Sequence, residues 1–139
     1  MTSLLLMALA QAAAPPPVSA WSTVPTVDLI GPSRVAVEDS VAIMRLAEGR
    51  PECRRAIGPM PRQPDQPNRR MYGLPLDLLV LVASDGRFLR ILAAPGPCDA
   101  IRNYARTIVN VRHRGNVRPP EGPAAAWRRV RLGFSWSAD

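Results

Sequence analysis

The stretch that decides the fold reads LDLLVLVASDGRFLRIL and spans residues 76 to 92. Its two apolar runs, Leu76–Ala83 and Phe88–Leu92, predict a pair of strands separated by Ser84–Arg87. The Asp85-Gly86 pair is a strong signal for a tight hairpin turn, because glycine tolerates the positive φ that such turns need. The sequence therefore predicts an antiparallel hairpin here.

The segments after this hairpin predict a helix and then a third strand. Between Cys98 and Arg112, the apolar residues that recur at helical spacing are Ile101, Tyr104, Ala105, Ile108 and Val111. The last strand alternates between a face expected to be buried (Val130, Leu132, Phe134, Trp136) and an outward face (Arg129, Arg131, Gly133, Ser135). We therefore expect an α+β fold in which a small, three-stranded antiparallel sheet is packed by one or two helices.

The preceding part of the chain, residues 21–73, predicts an N-terminal helix and a proline-rich loop. A helix is expected to begin near Asp39 or Ser40. Its expected apolar face consists of Val41, Met44 and either Ile43 or Ala47. The run Gly58–Arg70 carries four prolines and is expected to be an exposed loop, because proline disrupts helices and interior strands. Residues 74–139 then form the hairpin-helix-strand unit.

Residues 1–20 predict an export signal. The apolar run Leu4–Ala14 is too short to span a bilayer as a helix but has the length of a signal-peptide core. Sites of the small-x-small type for signal cleavage end at Ala10, Ala12 and Ala20. An uncleaved anchor and a disordered tail are the alternatives. We expect a periplasmic or secreted protein whose mature chain has no stable membrane span.

The chain contains two cysteines, Cys53 and Cys98. In an exported chain we expect them to form one structural disulfide, since neither has another obvious partner. Such a bond closes a loop of about 45 residues, which the chain-entropy model values at roughly 4 kcal/mol. Redox and metal roles are weaker alternatives, because the sequence has no Cys-x-x-Cys motif.

Arginine dominates the charge of this chain. The formal net charge is +7, and all 18 basic residues are arginines, most of them in the C-terminal half. Guanidinium groups favour planar contacts with carboxylates or phosphates. Binding of nucleic acid usually adds aromatic platforms for base stacking, whereas only 5% of this chain is aromatic. We therefore expect an acidic partner and no nucleic acid.

The sequence offers no convincing catalytic constellation. The chain has no Gly-x-Ser-x-Gly motif, and Ser-x-x-Lys is excluded because there is no lysine. Its single histidine, His113, follows the predicted helix and is interpreted as a C-terminal cap. Neighbouring carboxylates such as Glu48 and Glu52 fit a solvated helix flank. We expect no catalytic residues, no metal site and no cofactor, and hence no enzyme.

Four pieces of the C-terminal half together resemble the C-terminal domain of TonB-type energy transducers. They are the Asp-Gly-Arg turn in Val82–Arg87, the helix after Cys98, the Arg-x-Pro and Gly-Pro element in Val117–Pro123, and the strand Arg131–Trp136 with its final aromatic residue. The resemblance covers roughly residues 74 to 136. The chain departs from the family in having no Tyr-Pro pair before the first strand, no Ser-Ser-Gly after the second and no aromatic pair just before Pro119.

This resemblance implies a non-catalytic domain that binds a protein or peptide by strand addition. TonB-like domains engage a short segment of outer-membrane receptors in this way, and the matching positions here are Arg129, Val130, Arg131, Leu132, Gly133 and Phe134. Arg129 and Arg131 would face an acidic peptide or an envelope protein such as an outer-membrane receptor. A second copy of the chain is a further candidate partner. The leader Pro15–Pro25 is too short for the long spacer of an energy transducer.

Three alternatives remain open at this stage. The last strand is also consistent with an edge protected by its own arginines, a common defence against aggregation. The chain then fits a structural protein of the cell envelope. It also fits a small exported enzyme or inhibitor whose site lies in residues 22–70.

Overall fold

The computed structural model describes residues 14–59, 64–65 and 67–137. Residues 1–13, which include most of the predicted export signal, lie outside this part. In chain order the elements are a 3₁₀ helix (Val18–Thr23), α1 (Val37–Gly49), α2 (Pro51–Arg54), β1 (Gly58–Pro59), β2 (Met71–Val82), β3 (Phe88–Ala93), α3 (Asp99–Arg112) and β4 (Ala126–Ser137). The chain is therefore α+β, as the sequence predicted.

The described residues form a four-stranded antiparallel sheet rather than the predicted three-stranded one. Strand β2 is central: β4 pairs with its whole length on one side, while β1 and β3 share the other side. The extra strand is β1, whose two residues begin the predicted proline-rich loop and pair with Tyr72 and Gly73. Residues 60–63 and 66 of that loop lie outside the described part.

Strand β2 begins at Met71, five residues before the predicted start at Leu76, and contains Pro75. Proline is tolerated in a strand where its missing N–H is not needed. The carbonyl of Asp77 accepts a hydrogen bond from Ala94, so alternate residues of β2, including Pro75, point toward the β1 and β3 side. Pairing with β1 ends at Gly73, and Pro75 therefore occupies the gap between the two partner strands.

One face of the sheet, called the inner face, carries the main core. Alternate residues of β4 on this face are buried, as predicted: Val130, Leu132, Phe134 and Trp136. Helix α3 packs here through Ile101, Ala105, Ile108 and Val109. The predicted contribution of Val111 is wrong, since its exposure is 58%. Val109 is buried in its place, and Arg112 in the last turn of α3 pairs with Asp39 of helix α1.

Helix α1 is held to α3 by a buried carboxylate. Asp39 is 4% exposed, and its Oδ2 accepts hydrogen bonds from the backbone N–H of Ala36 at 2.8 Å and from Nε of Arg112 at 3.0 Å. Asp39 is thus the third residue of a helix that starts at Val37, and not the predicted N-cap. An acceptor at this position satisfies an otherwise free N–H at the helix start.

The predicted disulfide between Cys53 and Cys98 is confirmed, with a Cα–Cα distance of 4.7 Å. It joins α2 to the first turn of α3, where Cys98 is the N-cap. Both cysteines are buried, so the bond lies within the core.

Residues 14–32, called the N-terminal arm, reach the opposite face of the sheet, the outer face. Leu79 and Leu81 point to this face by the register of β2, and both are buried without belonging to the main core. Trp21 is likewise buried outside that core. Nε1 of Trp127, which lies opposite Leu81, donates to the carbonyl of Ala14 at 3.1 Å. The arm therefore covers this part of the outer face.

The far end of the arm is fixed by Asn116. Its Oδ1 accepts from the N–H of Gly31 at 2.7 Å, and its Nδ2 donates to the carbonyl of Pro32 at 3.1 Å. The backbones of Ile30 and Asp28 bond the loop at Asn116 and Arg118. Within residues 14–59, 64–65 and 67–137, no helix combines the length and apolarity required to cross a membrane.

Candidate functional site: the open edge of β4

Strand β4 lies at the edge of the sheet, and its backbone groups alternate between two directions. In an antiparallel pair, one residue bonds the neighbouring strand through both its N–H and its C=O, and the next residue points both groups away. The register of β4 with β2 runs without a break from Met71 opposite Ser137 to Val82 opposite Ala126. One outward residue therefore fixes the direction of all the others.

Arg129 is such an outward residue, and its backbone is already paired. Its N–H donates to the carbonyl of Pro25 at 2.8 Å, and its C=O accepts from the N–H of Val27 at 2.9 Å. Thr26 thereby forms a parallel bridge with Arg129. The N-terminal arm acts as a short added strand at this point of the edge.

Three further outward residues of β4 are open. By the unbroken alternation, Arg131, Gly133 and Ser135 direct their N–H and C=O groups away from β2. All three residues are exposed, and within the described part of the chain no hydrogen bond is formed to these backbone groups. The segment Arg131–Ser135 thus presents five residues of regular strand geometry to an added segment.

The side chains of this open half lie on the outer face. Nε of Arg131 lies 3.3 Å from Oδ1 of its cross-strand partner Asp77. Pro75 lies opposite Gly133, and Gly73 lies opposite Ser135. An open apolar pocket of about 580 Å³ is lined by Gly58, Pro59, Gly73, Leu74, Pro75, Gly133, Phe134 and Ser135.

The six residues predicted for strand addition divide into three groups. Val130, Leu132 and Phe134 bury their side chains in the core and direct their backbone to β2. Arg129 is paired with the N-terminal arm. Arg131 and Gly133 are open, and so is Ser135, one position beyond the predicted segment that ends at Phe134. The alternation that placed Ser135 outward was the signal that pointed to it.

The opposite edge of the sheet is less regular. Strand β3 has six residues, and its register with β2 shifts between Leu81 and Val82. The guanidinium of Arg102 donates to the carbonyls of Ala94 at 2.9 Å and Ala93 at 3.4 Å. A bulge and a side chain that occupies a carbonyl both hinder strand addition, so β4 offers the longer free edge.

Three of the six acidic residues in 22–70, the stretch that the enzyme alternative concerns, contact other parts of the fold. Asp39 pairs with Arg112, Asp28 lies 3.4 Å from Arg118, and Glu48 accepts from Nε1 of Trp136 at 3.0 Å. Among the described residues no group of three or more histidine, cysteine, aspartate or glutamate side chains is placed to hold a metal ion.

His113 takes the predicted C-cap position of α3, but as a buried side chain rather than an exposed cation. It is 4% exposed, and burial lowers the pKa of its imidazole below 6.5. The neutral form is therefore favoured at neutral pH. Its Nδ1 has no hydrogen-bond partner in the described residues, and it lies away from the β4 edge.

Comparison with known proteins finds no family model, no curated protein and no solved structure that matches this chain. The resemblance to TonB-type C-terminal domains stays a prediction from the sequence.

Proposed function

We propose that this chain is a non-catalytic, exported domain that binds an extended segment of an envelope protein or peptide by strand addition to β4. The observation that carries the proposal is the row of open backbone groups at Arg131, Gly133 and Ser135. An added strand gains main-chain hydrogen bonds from such a row and side-chain specificity from neighbouring pockets. The resemblance to TonB-like domains supports the same mode of binding.

The N-terminal arm supports the proposal from within the molecule. Pro25 and Val27 already bond the backbone of Arg129, so this edge accepts a parallel extended segment where one is supplied. The binding region consequently shifts from the expected Arg129–Phe134 to Arg131–Ser135. Arg131 favours an acidic side chain in the partner, because its guanidinium has further N–H donors besides the Nε that lies near Asp77.

Export is part of this proposal. The apolar run Leu4–Ala14 and the buried disulfide both fit a chain that folds in an oxidising compartment. Trp127 donates a hydrogen bond to the carbonyl of Ala14, and Trp21 donates one to the carbonyl of Pro16. Cleavage after Ala10 or Ala12 keeps both hydrogen bonds in the mature chain. Cleavage after Ala20 removes both, and we therefore place processing at one of the two earlier sites.

A pair of substitutions at one position tests the edge. Arg131→Pro removes the side chain and the outward N–H, whereas Arg131→Ala removes the side chain alone. Each variant serves as bait in a pull-down from an envelope extract, beside the wild-type mature chain. We expect partners that the wild type retains to be lost with Arg131→Pro and only weakened with Arg131→Ala, because strand addition depends on the backbone donor.

Circular dichroism and urea unfolding establish that each bait is folded, and Ser135→Pro repeats the test at a second outward position. Partners captured equally by wild type and by both folded proline variants would place the binding elsewhere. An extract that yields no protein enriched over an empty matrix would also contradict the proposal. Strand β4 would then be a protected edge of a structural envelope protein.

A further inference from the structure

The outer face beside the open edge lacks side chains where they are ordinarily found. Gly133 lies opposite Pro75, Gly73 lies opposite Ser135, and Gly58 pairs with Gly73. Three glycines thus occupy neighbouring positions on three strands. Together with Pro59 and Pro75 they form the open pocket of about 580 Å³, called here the glycine pocket.

The fold itself does not require glycine at position 133. Positive φ angles among the described glycines occur at Gly86, Gly115 and Gly122, and Gly133 is not among them. A Cβ built on Gly133 meets no atom of the described residues within 4 Å. Glycine weakens a strand and often marks a place where a ligand approaches the backbone closely. An occupant of the open space therefore explains this glycine better than packing does.

We propose that the glycine pocket receives an aromatic side chain of the strand added to β4. This inference rests on the proposed function and names the chemistry of the partner. Directly opposed residues of neighbouring strands project on the same face, so the partner residue opposite Gly133 points its side chain over the outer face. An aromatic ring there covers the bare backbone of Gly133 and contacts Pro75, as aromatic residues do beside glycines in sheets.

The guanidinium of Arg131 adds a second requirement to the partner strand. Arg131 lies on the same face two residues from Gly133, beside Asp77 at 3.3 Å. A partner residue opposite Arg131 is therefore also two residues away from the aromatic one, and a carboxylate there pairs with the guanidinium. The occupant is thus an extended peptide with an aromatic residue and an acidic residue separated by one position.

A displayed library of random 12-residue peptides (about twice the length of the open edge at roughly 3.3 Å per residue) provides an unbiased probe. The full mature chain selects peptides, which are then synthesised and titrated against wild type, Gly133→Val, Ser135→Pro and Gly49→Ala. A valine at position 133 occupies the space beside the backbone at that position and suits a strand. Gly49 is the control, because a Cβ there also meets no atom within 4 Å.

We expect the selected peptides to share an aromatic residue two positions from an acidic one. Gly133→Val should weaken their binding about tenfold or more, since an aromatic side chain loses its buried area. Gly49→Ala should leave binding unchanged. Replacement of the aromatic residue in the peptide by alanine should weaken binding to wild type and have little further effect on Gly133→Val.

Two other results separate this inference from the proposed function. Peptides that lose binding with Ser135→Pro, yet bind Gly133→Val as tightly as wild type, would overturn the aromatic pocket and leave strand addition standing. Peptides insensitive to Ser135→Pro would overturn strand addition itself. Size-exclusion chromatography that shows a dimer for wild type and a monomer for Gly133→Val would mean that a second copy of the chain occupies the pocket. This result would contradict a peptide occupant.

Discussion

The two halves of β4 share one register with β2 but differ in what lies on their other side. In the first half, the arm bonds the backbone of Arg129 and covers Leu79 and Leu81 on the outer face. In the second half, Arg131, Gly133 and Ser135 are exposed, and the outer face bears glycines. The inner-face residues are buried from Val130 to Trp136, whereas Ala126 and Arg128 at the start of the strand are half-buried. The open half of β4 therefore contributes more of the core than the covered half does.

This difference indicates that the outer face depends on the arm for its cover, whereas the core is built mainly by the helices, with Val27 and Leu29 of the arm packed against it. The inner face is closed by α1 and α3, which belong to the main hydrophobic cluster. Among the described residues, the arm covers the outer face over the first half alone, where Arg90 lies over the Trp127 ring at 5.7 Å from its centroid. The uncovered half is where a partner segment finds both hydrogen bonds and apolar surface.

The prediction with the largest expected effect removes the packing of the N-terminal arm on the first half of β4. Trp21 is 6% exposed, and its Nε1 donates to the carbonyl of Pro16 at 3.1 Å. Trp21→Ala should lower the free energy of unfolding by about 3 to 5 kcal/mol, the usual cost of removing a buried tryptophan. Urea unfolding measures this loss.

Hydrogen exchange locates the same effect. In Trp21→Ala the amides of Val27 and Arg129 should exchange faster than other strand amides, because release of the arm precedes global unfolding. Trp136→Ala is the matched control, since it removes a tryptophan from the inner face. It should speed all strongly protected amides alike. Equal behaviour of the two variants would show that the arm does not open independently.

Much of this architecture was predictable, and the failures have physical causes. The Asp85-Gly86 turn, the span of α3 and the alternation of β4 were visible because each repeats a local pattern along the chain. The early start of β2 was missed because Pro75 normally ends a strand, and only the gap between β1 and β3 makes it harmless. That gap is a tertiary feature with no local signature.

The candidate site was predictable to a similar extent. Alternation correctly distinguished buried from outward residues of β4, but the sequence contained no signal that the arm would occupy Arg129. Pairing between Thr26 and Arg129 joins residues about 100 positions apart, and such contacts are not encoded in a local period. The alternation predicts that Gly133 faces outward, but the open space beside Gly133 also depends on Gly73 and Gly58, which lie in other strands.

A second prediction concerns acid pH, which should destabilise both halves of β4 together. Burial holds the pKa of His113 below 6.5, so the unfolded chain binds this proton more readily than the native protein. Its contribution to stability is complete above pH 6.5 and is lost as the pH falls below that value. Burial raises the pKa of Asp39, but hydrogen bonds from Ala36 and Arg112 outweigh it and lower the pKa below 3.8. This second contribution is lost as the pH falls below 3.8.

Urea unfolding between pH 7 and pH 3 should therefore show a decline that begins near pH 6.5. His113→Leu should abolish the upper part of the decline and leave the part below about pH 4. Because both groups stabilise the fold as a whole, the protection factors of the Val130 and Phe134 amides, one in each half of β4 and both bonded to β2, should fall together. A pH profile unchanged in His113→Leu would exclude the buried imidazole as its cause.

The smallest expected effect has the opposite sign and concerns the second half alone. Gly133→Ala should raise the free energy of unfolding by about 0.5 to 1 kcal/mol, because alanine loses less backbone entropy than glycine in a strand. Its Cβ meets no atom within 4 Å, so no clash offsets the gain. Differential scanning calorimetry measures the shift, with Gly86→Ala as the contrast: at φ 87° and 3.3 Å from the Val117 carbonyl, that substitution should destabilise. A loss of stability in Gly133→Ala would mean that the open half needs its glycine for folding, and the space beside it would no longer point to a partner.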